Sequence, residues 1–192
     1  PRWRPAIMGA MEGSPARWKP LPRRFYRRDP REVAPELLNK LLVRDDGRAG
    51  RIVEVEAYCG AEDPAAHTYR GKTARNATMF GEPGHLYVYF VYGMHFCANV
   101  VSLTDGVPGA VLLRAGEVVS GSALAHARRP SARNAAELAK GPARLTSVLG
   151  LDRGHNGVDL TAPDATVRLL AGERVAESDI RTGPRVGVAV AV

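Results

Sequence analysis

The chain has 192 residues, 45% hydrophobic and 24% charged, enough for one domain with a substantial core. No apolar stretch reaches membrane-spanning length, and the Arg- and Pro-rich start lacks the apolar segment of a secretory signal; the expected setting is cytoplasmic (nucleoid-associated) or nuclear, with no membrane partner. A net charge of +7 favours polyanions, nucleic acid above all, against the plainer alternative of a basic protein that is merely soluble.

Residues 1–28 carry five prolines and most of the positive excess, from Arg2 and Arg4 to Arg27 and Arg28. They read as an irregular basic arm, and 29–192 as the single folded domain. Asp29-Pro30-Arg31-Glu32 is a helix start, with Asp as N-cap, Pro at the first helical position and Glu three after the cap. Val33, Leu37, Leu38 and Leu41 continue it as one apolar stripe, which Asp45-Asp46-Gly47 closes. Arg51–Tyr58 is a strand. Alternation puts Val53, Val55 and Ala57 toward the core and Ile52, Glu54, Glu56 and Tyr58 on the opposite face.

Residues 59–84 form a long loop containing Asp63, His67, Arg70, Lys72, Arg75 and Asn76; loops of that length in a small domain are often functional. Strand Leu86–Tyr92, a turn at Gly93 and strand Phe96–Leu103 make a hairpin. A strand over Ala110–Ala115 includes Arg114. Helices are predicted over 134–140 and from Pro142 to Gly150, then strands over Thr166–Leu170 and Arg185–Val192. Strands, then helices, then strands predict an α+β domain with a mostly antiparallel curved sheet, flanking helices and a protruding hairpin. Cys59 and Cys97 match no zinc spacing and read as reduced thiols, though a pair always leaves one disulfide open.

The hairpin is the most telling stretch. Tyr87, Tyr89 and Tyr92 each need a partner for the hydroxyl if buried, and flat rings on a basic protein suit stacking on nucleobases. Tyr87 and Tyr89 share a face. Tyr92, beside Met94 at the tip, either wedges into a base stack or folds onto its own hairpin. Asn99 on the partner strand carries an amide that structure or ligand must satisfy. Glu56 on a non-core face is costly unless hydrogen-bonded or working, with Glu54 as its rival. Glu54, Glu56, Asp63 and His67 have metal-ligand chemistry but no recognised metal spacing, so no metal or other cofactor is expected.

Seven segments in one linear order resemble the 3-methyladenine DNA glycosylase family of the alkyladenine (N-methylpurine) type. They are RIVEVEAY (51–58), AAHTYRG (65–71), RNATMFG (75–81), GHLYVYFVYGMHFCANV (84–100), AVLLRA (110–115), GPARL (141–145) and GPRVGV (183–188). The resemblance implies a monomeric enzyme that everts a damaged purine from double-stranded DNA and hydrolyses its N-glycosidic bond. It implies Glu56 as the general base for water, Tyr58, His67 and Tyr89 as the walls around the base, and Asn99 as a filter against normal guanine. Tyr92, with Met94 beside it, would fill the gap in the stack, and Arg114 would hold the water or a phosphate. Glu54 matches no catalytic role. Two features depart from the family pattern: members continue past the 185–188 strand into a further segment, and His95 stands where an aromatic is frequent.

The chemistry fits these residue types. A carboxylate beneath the sugar both accepts a proton from water and stabilises an oxocarbenium-like transition state. A second carboxylate for the leaving group is missing, which suits purines already made cationic by alkylation. No Lys occupies a matched catalytic position, so a Schiff-base lyase step is not expected. The competing readings are a noncatalytic nucleic-acid-binding domain and a metal-dependent hydrolase. The helix-hairpin-helix glycosylases are disfavoured, since no Gly-rich hairpin precedes a catalytic Asp.

Overall fold

The computed structural model describes residues 19–188. Expectations placed on residues 1–18 and 189–192 lie outside them. Six strands form one curled, wholly antiparallel sheet: β1 (Leu41–Arg44), β2 (Ala49–Tyr58), β3 (Leu86–Val91), β4 (His95–Val101), β5 (Ala110–Ser120) and β6 (Val167–Leu170). The spatial order is β3-β4-β5-β2-β1-β6. Short helices flank it: α1 (Arg23–Tyr26), α2 (Pro30–Leu37), α3 (Ser122–Arg128), α4 (Ala135–Leu138) and α5 (Pro142–Leu149). The α+β expectation holds. Among the described residues no helix is long and apolar enough to cross a membrane.

The packed domain begins before residue 29. Leu21 and Tyr26 are buried in the main core, the Leu21 N–H donates to the Leu169 carbonyl, and Arg23 bonds Asp159 and Thr161. Residues 19–28 are therefore part of the fold rather than an arm; local composition hides this because their partners lie far along the chain.

Helix α2 starts as expected, with the Asp29 carboxylate accepting from the Arg31 N–H. It ends at Leu37, so Leu38 and Leu41 do not continue its stripe. Leu41 instead opens β1, which pairs with both β2 and β6. Four residues are too few to show a strand period, which is why β1 escapes a sequence reading. Helix α3 has no counterpart among the elements expected from the sequence. Helix α5 crosses β5 where Gly116 leaves room, since a Cβ there would meet the Arg51 carbonyl and the Leu145 side chain. The last expected strand is corrected in its described part: Arg185 is irregular, and Val186 and Gly187 form a turn.

One irregularity in β2 matters for the site. Its pairing with β5 shifts register between Ile52 and Glu54 and again between Glu54 and Val55. Such bulges re-aim side chains. Ile52 turns into the core at 1% exposure and Val53 turns out at 54%, reversing the alternation expected for that pair. Beyond the bulge Val55 and Ala57 do pack against the core, leaving Glu54, Glu56 and Tyr58 on the opposite face.

Candidate active site

Glu56 and Glu54 share a face of β2 but not an environment. Glu56 is buried at 7% exposure, whereas Glu54 is largely open. Removing a carboxylate from water is costly unless donors replace the water, and three do. The Tyr58 hydroxyl donates to Glu56 Oε2 at 2.9 Å, the Val186 N–H donates to Oε1 at 2.7 Å, and Arg114 Nη1 lies 3.1 Å from Oε1. Arg114 also donates through Nε to Glu54 at 2.8 Å, so one guanidinium spans both carboxylates. Burial and the neighbouring Glu56 carboxylate push the Tyr58 phenol well above its ordinary pKa, which keeps it protonated as a donor.

Tyr58 has a second surface. Its ring, with Ala65, His67, Met79, Tyr87, Tyr89 and Asn99, lines a small pocket of about 60 Å³. That is far below the ~300–1,000 Å³ of sites for drug-sized ligands and suits only a small planar group. Glu56 is not on this wall; Tyr58 connects the two. On its other side Glu56 lines a larger groove of about 710 Å³, bounded by α2, β2 and residues 179–186.

The rings brace one another. Tyr87 and Tyr89 stack at 5.3 Å between centroids, and His67 meets the Tyr89 ring edge-on at 4.5 Å. His67 Nδ1 lies 3.1 Å from the Tyr87 hydroxyl. His67 retains substantial solvent exposure, yet partial burial, helped by the Arg75 cation, lowers its pKa. The Tyr87 pKa is pushed up to about 12 by burial. Both groups are therefore uncharged at neutral pH, and the tautomer of the imidazole sets which of them donates. Asn99, buried and directly across from Tyr87 in register, donates to the Tyr87 carbonyl at 3.3 Å.

Three residues outside the expected set hold this geometry. Asn76, 2% exposed, donates to the carbonyls of His67 and Gly71 and accepts from the Thr73 N–H, fixing the loop that carries His67. Asp63 and Arg185 pair beneath Tyr58. Asn76 stood in the long loop and Arg185 in a resembling segment, but nothing local marked either as a partner of the pocket. Glu54 and Asp63 are engaged by arginines, and no group of three potential metal ligands occurs among the described residues. Both cysteines are free; Cys97 is buried and Cys59 only partly so.

Tyr92 and Met94 stand apart from the pocket, at the hairpin tip, 86% and 69% exposed. Tyr92 lies in the three-residue loop between the paired Val91 and His95 rather than in β3, with φ +53° followed by Gly93 at +67°, two successive left-handed residues.

A basic protein that buries a carboxylate against the phenol of a small aromatic pocket suits hydrolysis next to a flat base, and the family comparison places it there: the protein is a DNA glycosylase, an enzyme of base excision repair that cleaves N-glycosyl bonds. The methylpurine-DNA glycosylase family model matches residues 24–192, and the chain belongs to that family. It is 52% identical over 181 residues to a Burkholderia lata protein named "Putative 3-methyladenine DNA glycosylase", covering 93% of this chain and 87% of that one. Proteins of the same name in Streptomyces avermitilis and Methanocella arvoryzae are 53% and 47% identical, each over 88% of this chain and over 81% and 84% of their own length.

Proposed function

We propose that the protein everts alkylated or deaminated purines of the 3-methyladenine, 7-methylguanine and hypoxanthine class from duplex DNA and hydrolyses the N-glycosidic bond, leaving an unbroken abasic strand. The observation that carries this reading is the Tyr58 bridge, whose hydroxyl bonds Glu56 while its ring lines the aromatic pocket. A base in that pocket brings its sugar toward the carboxylate. Extrusion costs a few kcal/mol, and ring stacking returns about 1–3 kcal/mol per base.

In this reading Glu56 takes the proton from the attacking water and its charge stabilises the cationic sugar. Arg114 holds the Glu56 carboxylate in place and lies within reach of the water or a phosphate. Tyr58 covers one face of the base and His67 and Tyr89 the other. The Asn99 amide projects at the pocket wall, where the 2-amino group of a normal guanine would meet it. Tyr92 and Met94 occupy the vacated stack. Among the described residues no lysine lines the pocket, which supports hydrolysis without a Schiff base; borohydride trapping of a covalent DNA adduct would contradict it. The enzyme acts as a monomer and prefers cationic alkylpurines to neutral lesions. The deciding assay is base release from methylated duplex DNA, analysed by product, with Glu56→Gln alongside. Release by the native protein and none by the variant is expected; equal release by both refutes the assignment.

A further inference from the structure

The groups that hold Glu56 do not all belong to its own sheet. The Val186 N–H comes from the 183–187 segment, 130 residues away in sequence. That segment has no regular secondary structure, and the Val186 side chain is 61% exposed. Packing of Val186 itself therefore does little to keep its N–H on the carboxylate.

Arg185 supplies the anchor. Its Nη2 donates to Asp63 Oδ1 at 2.9 Å and its Nη1 to Oδ2, a bidentate pair. Nη1 also donates to the Ala57 carbonyl at 3.1 Å, in the residue between Glu56 and Tyr58. The guanidinium lies 4.7 Å from the centroid of the Tyr58 ring. Asp63 is held in turn by the backbone N–H groups of Cys59 and Ala65. Gly60 permits that turn, with φ +70° and no room for a Cβ against the Pro108 carbonyl. One ion pair thus joins the irregular segment, the loop leading to His67 and the ring of Tyr58. Both partners are mostly buried, at 19% and 7% side-chain exposure, so the pair is little screened by solvent.

We propose that Asp63 and Arg185 are positioning residues for Glu56: their ion pair latches residues 183–187 so that the Val186 N–H stays on the carboxylate and the Tyr58 ring keeps the angle that joins carboxylate to pocket. The inference rests on Glu56 being the general base. Neither latch residue touches the reacting atoms. Loss of the latch frees one of three donors to Glu56 and lets the carboxylate shift relative to the sugar. A displacement on the order of 1 Å costs about a hundredfold in rate.

The test compares native protein, Arg185→Gln, Arg185→Lys, Asp63→Asn and the Asp63→Asn/Arg185→Gln double variant. Three readouts are taken: single-turnover release of 7-methylguanine from a duplex, duplex affinity, and melting temperature. Expected are about tenfold to hundredfold slower release in Arg185→Gln with duplex affinity nearly unchanged. Arg185→Lys keeps the charge but not the fork and falls between. The double variant is no slower than the slower single, because the two act as one unit. Arg185→Gln leaves the Asp63 bonds to Cys59 and Ala65 in place, so it reads the latch even if Asp63→Asn unfolds. Native-rate release in Arg185→Gln overturns the latch alone. So do losses that follow melting temperature and add between sites. No release by the native protein overturns the general-base reading and the latch with it.

Discussion

The Glu56 carboxylate is held by three polar partners, whereas at the tip of the β3–β4 hairpin Tyr92 and Met94 stand exposed. The carboxylate is buried among three donors, and the adjoining rings brace one another at 4.5 and 5.3 Å between centroids. At the tip Tyr92 and Met94 lie open to solvent, and the turn closes through one long bond from the Met94 N–H to the Val91 carbonyl, 3.4 Å. Tyr92 sits in a left-handed conformation that costs an L-residue about 1–2 kcal/mol. The contrast fits a division of labour. Chemistry needs groups fixed before substrate arrives, while a wedge needs a ring held away from the body of the protein, with its own strain.

The largest expected effect separates the two regions. Glu56→Gln lowers single-turnover base release by about 10²–10⁴-fold while duplex binding persists. A noncatalytic DNA-binding domain has no release to lose, so comparable release in variant and native protein breaks the comparison at its catalytic end.

At the other end, Tyr92→Ala slows release from duplex DNA by about tenfold or more and barely alters release from single strands, where no gap needs filling. Tyr92→Gly does the same and, by relieving the left-handed strain, raises the melting temperature by about 2–8 °C. Equal losses on single and double strands show that the ring is not a wedge.

Smaller effects sharpen the pocket. Asn99→Ala increases release of unmodified guanine above the native background with little change for methylated purines, read by chromatography of the liberated bases. Tyr87→Phe removes the bond to His67 Nδ1 and lowers stability by about 0.5–1.5 kcal/mol in urea unfolding.

The smallest is a pH slope. Burial lowers the His67 pKa from its ordinary 6.5, so as pH falls below 6.5 the unfolded chain takes up the proton first. This contribution to stability is present above 6.5 and is lost as pH falls toward the folded value. Urea unfolding between about pH 5 and 7 is expected to show a shallower decline in His67→Gln than in the native protein.

What the sequence determined by itself is whatever depends on neighbours a few residues apart. The period of two places Tyr87 and Tyr89 on one face, Gly93 marks the turn, and Asp29-Pro30 starts α2; the structure has all three. Local pattern also put Glu54 and Glu56 on one face but had no means to choose between them, and the choice of Glu56 came from family resemblance. Tertiary structure decided which carboxylate is buried. The register shifts near Ile52–Val55 re-aim the strand, and the chain returns at Val186 to cap Glu56. It also decided that residues 19–28 belong to the core, that Leu41 opens a strand, and that Asn76, Asp63 and Arg185 brace the site. The reason is common to all of these: burial and pairing are properties of two segments at once, and a pattern read along one segment carries no record of the other.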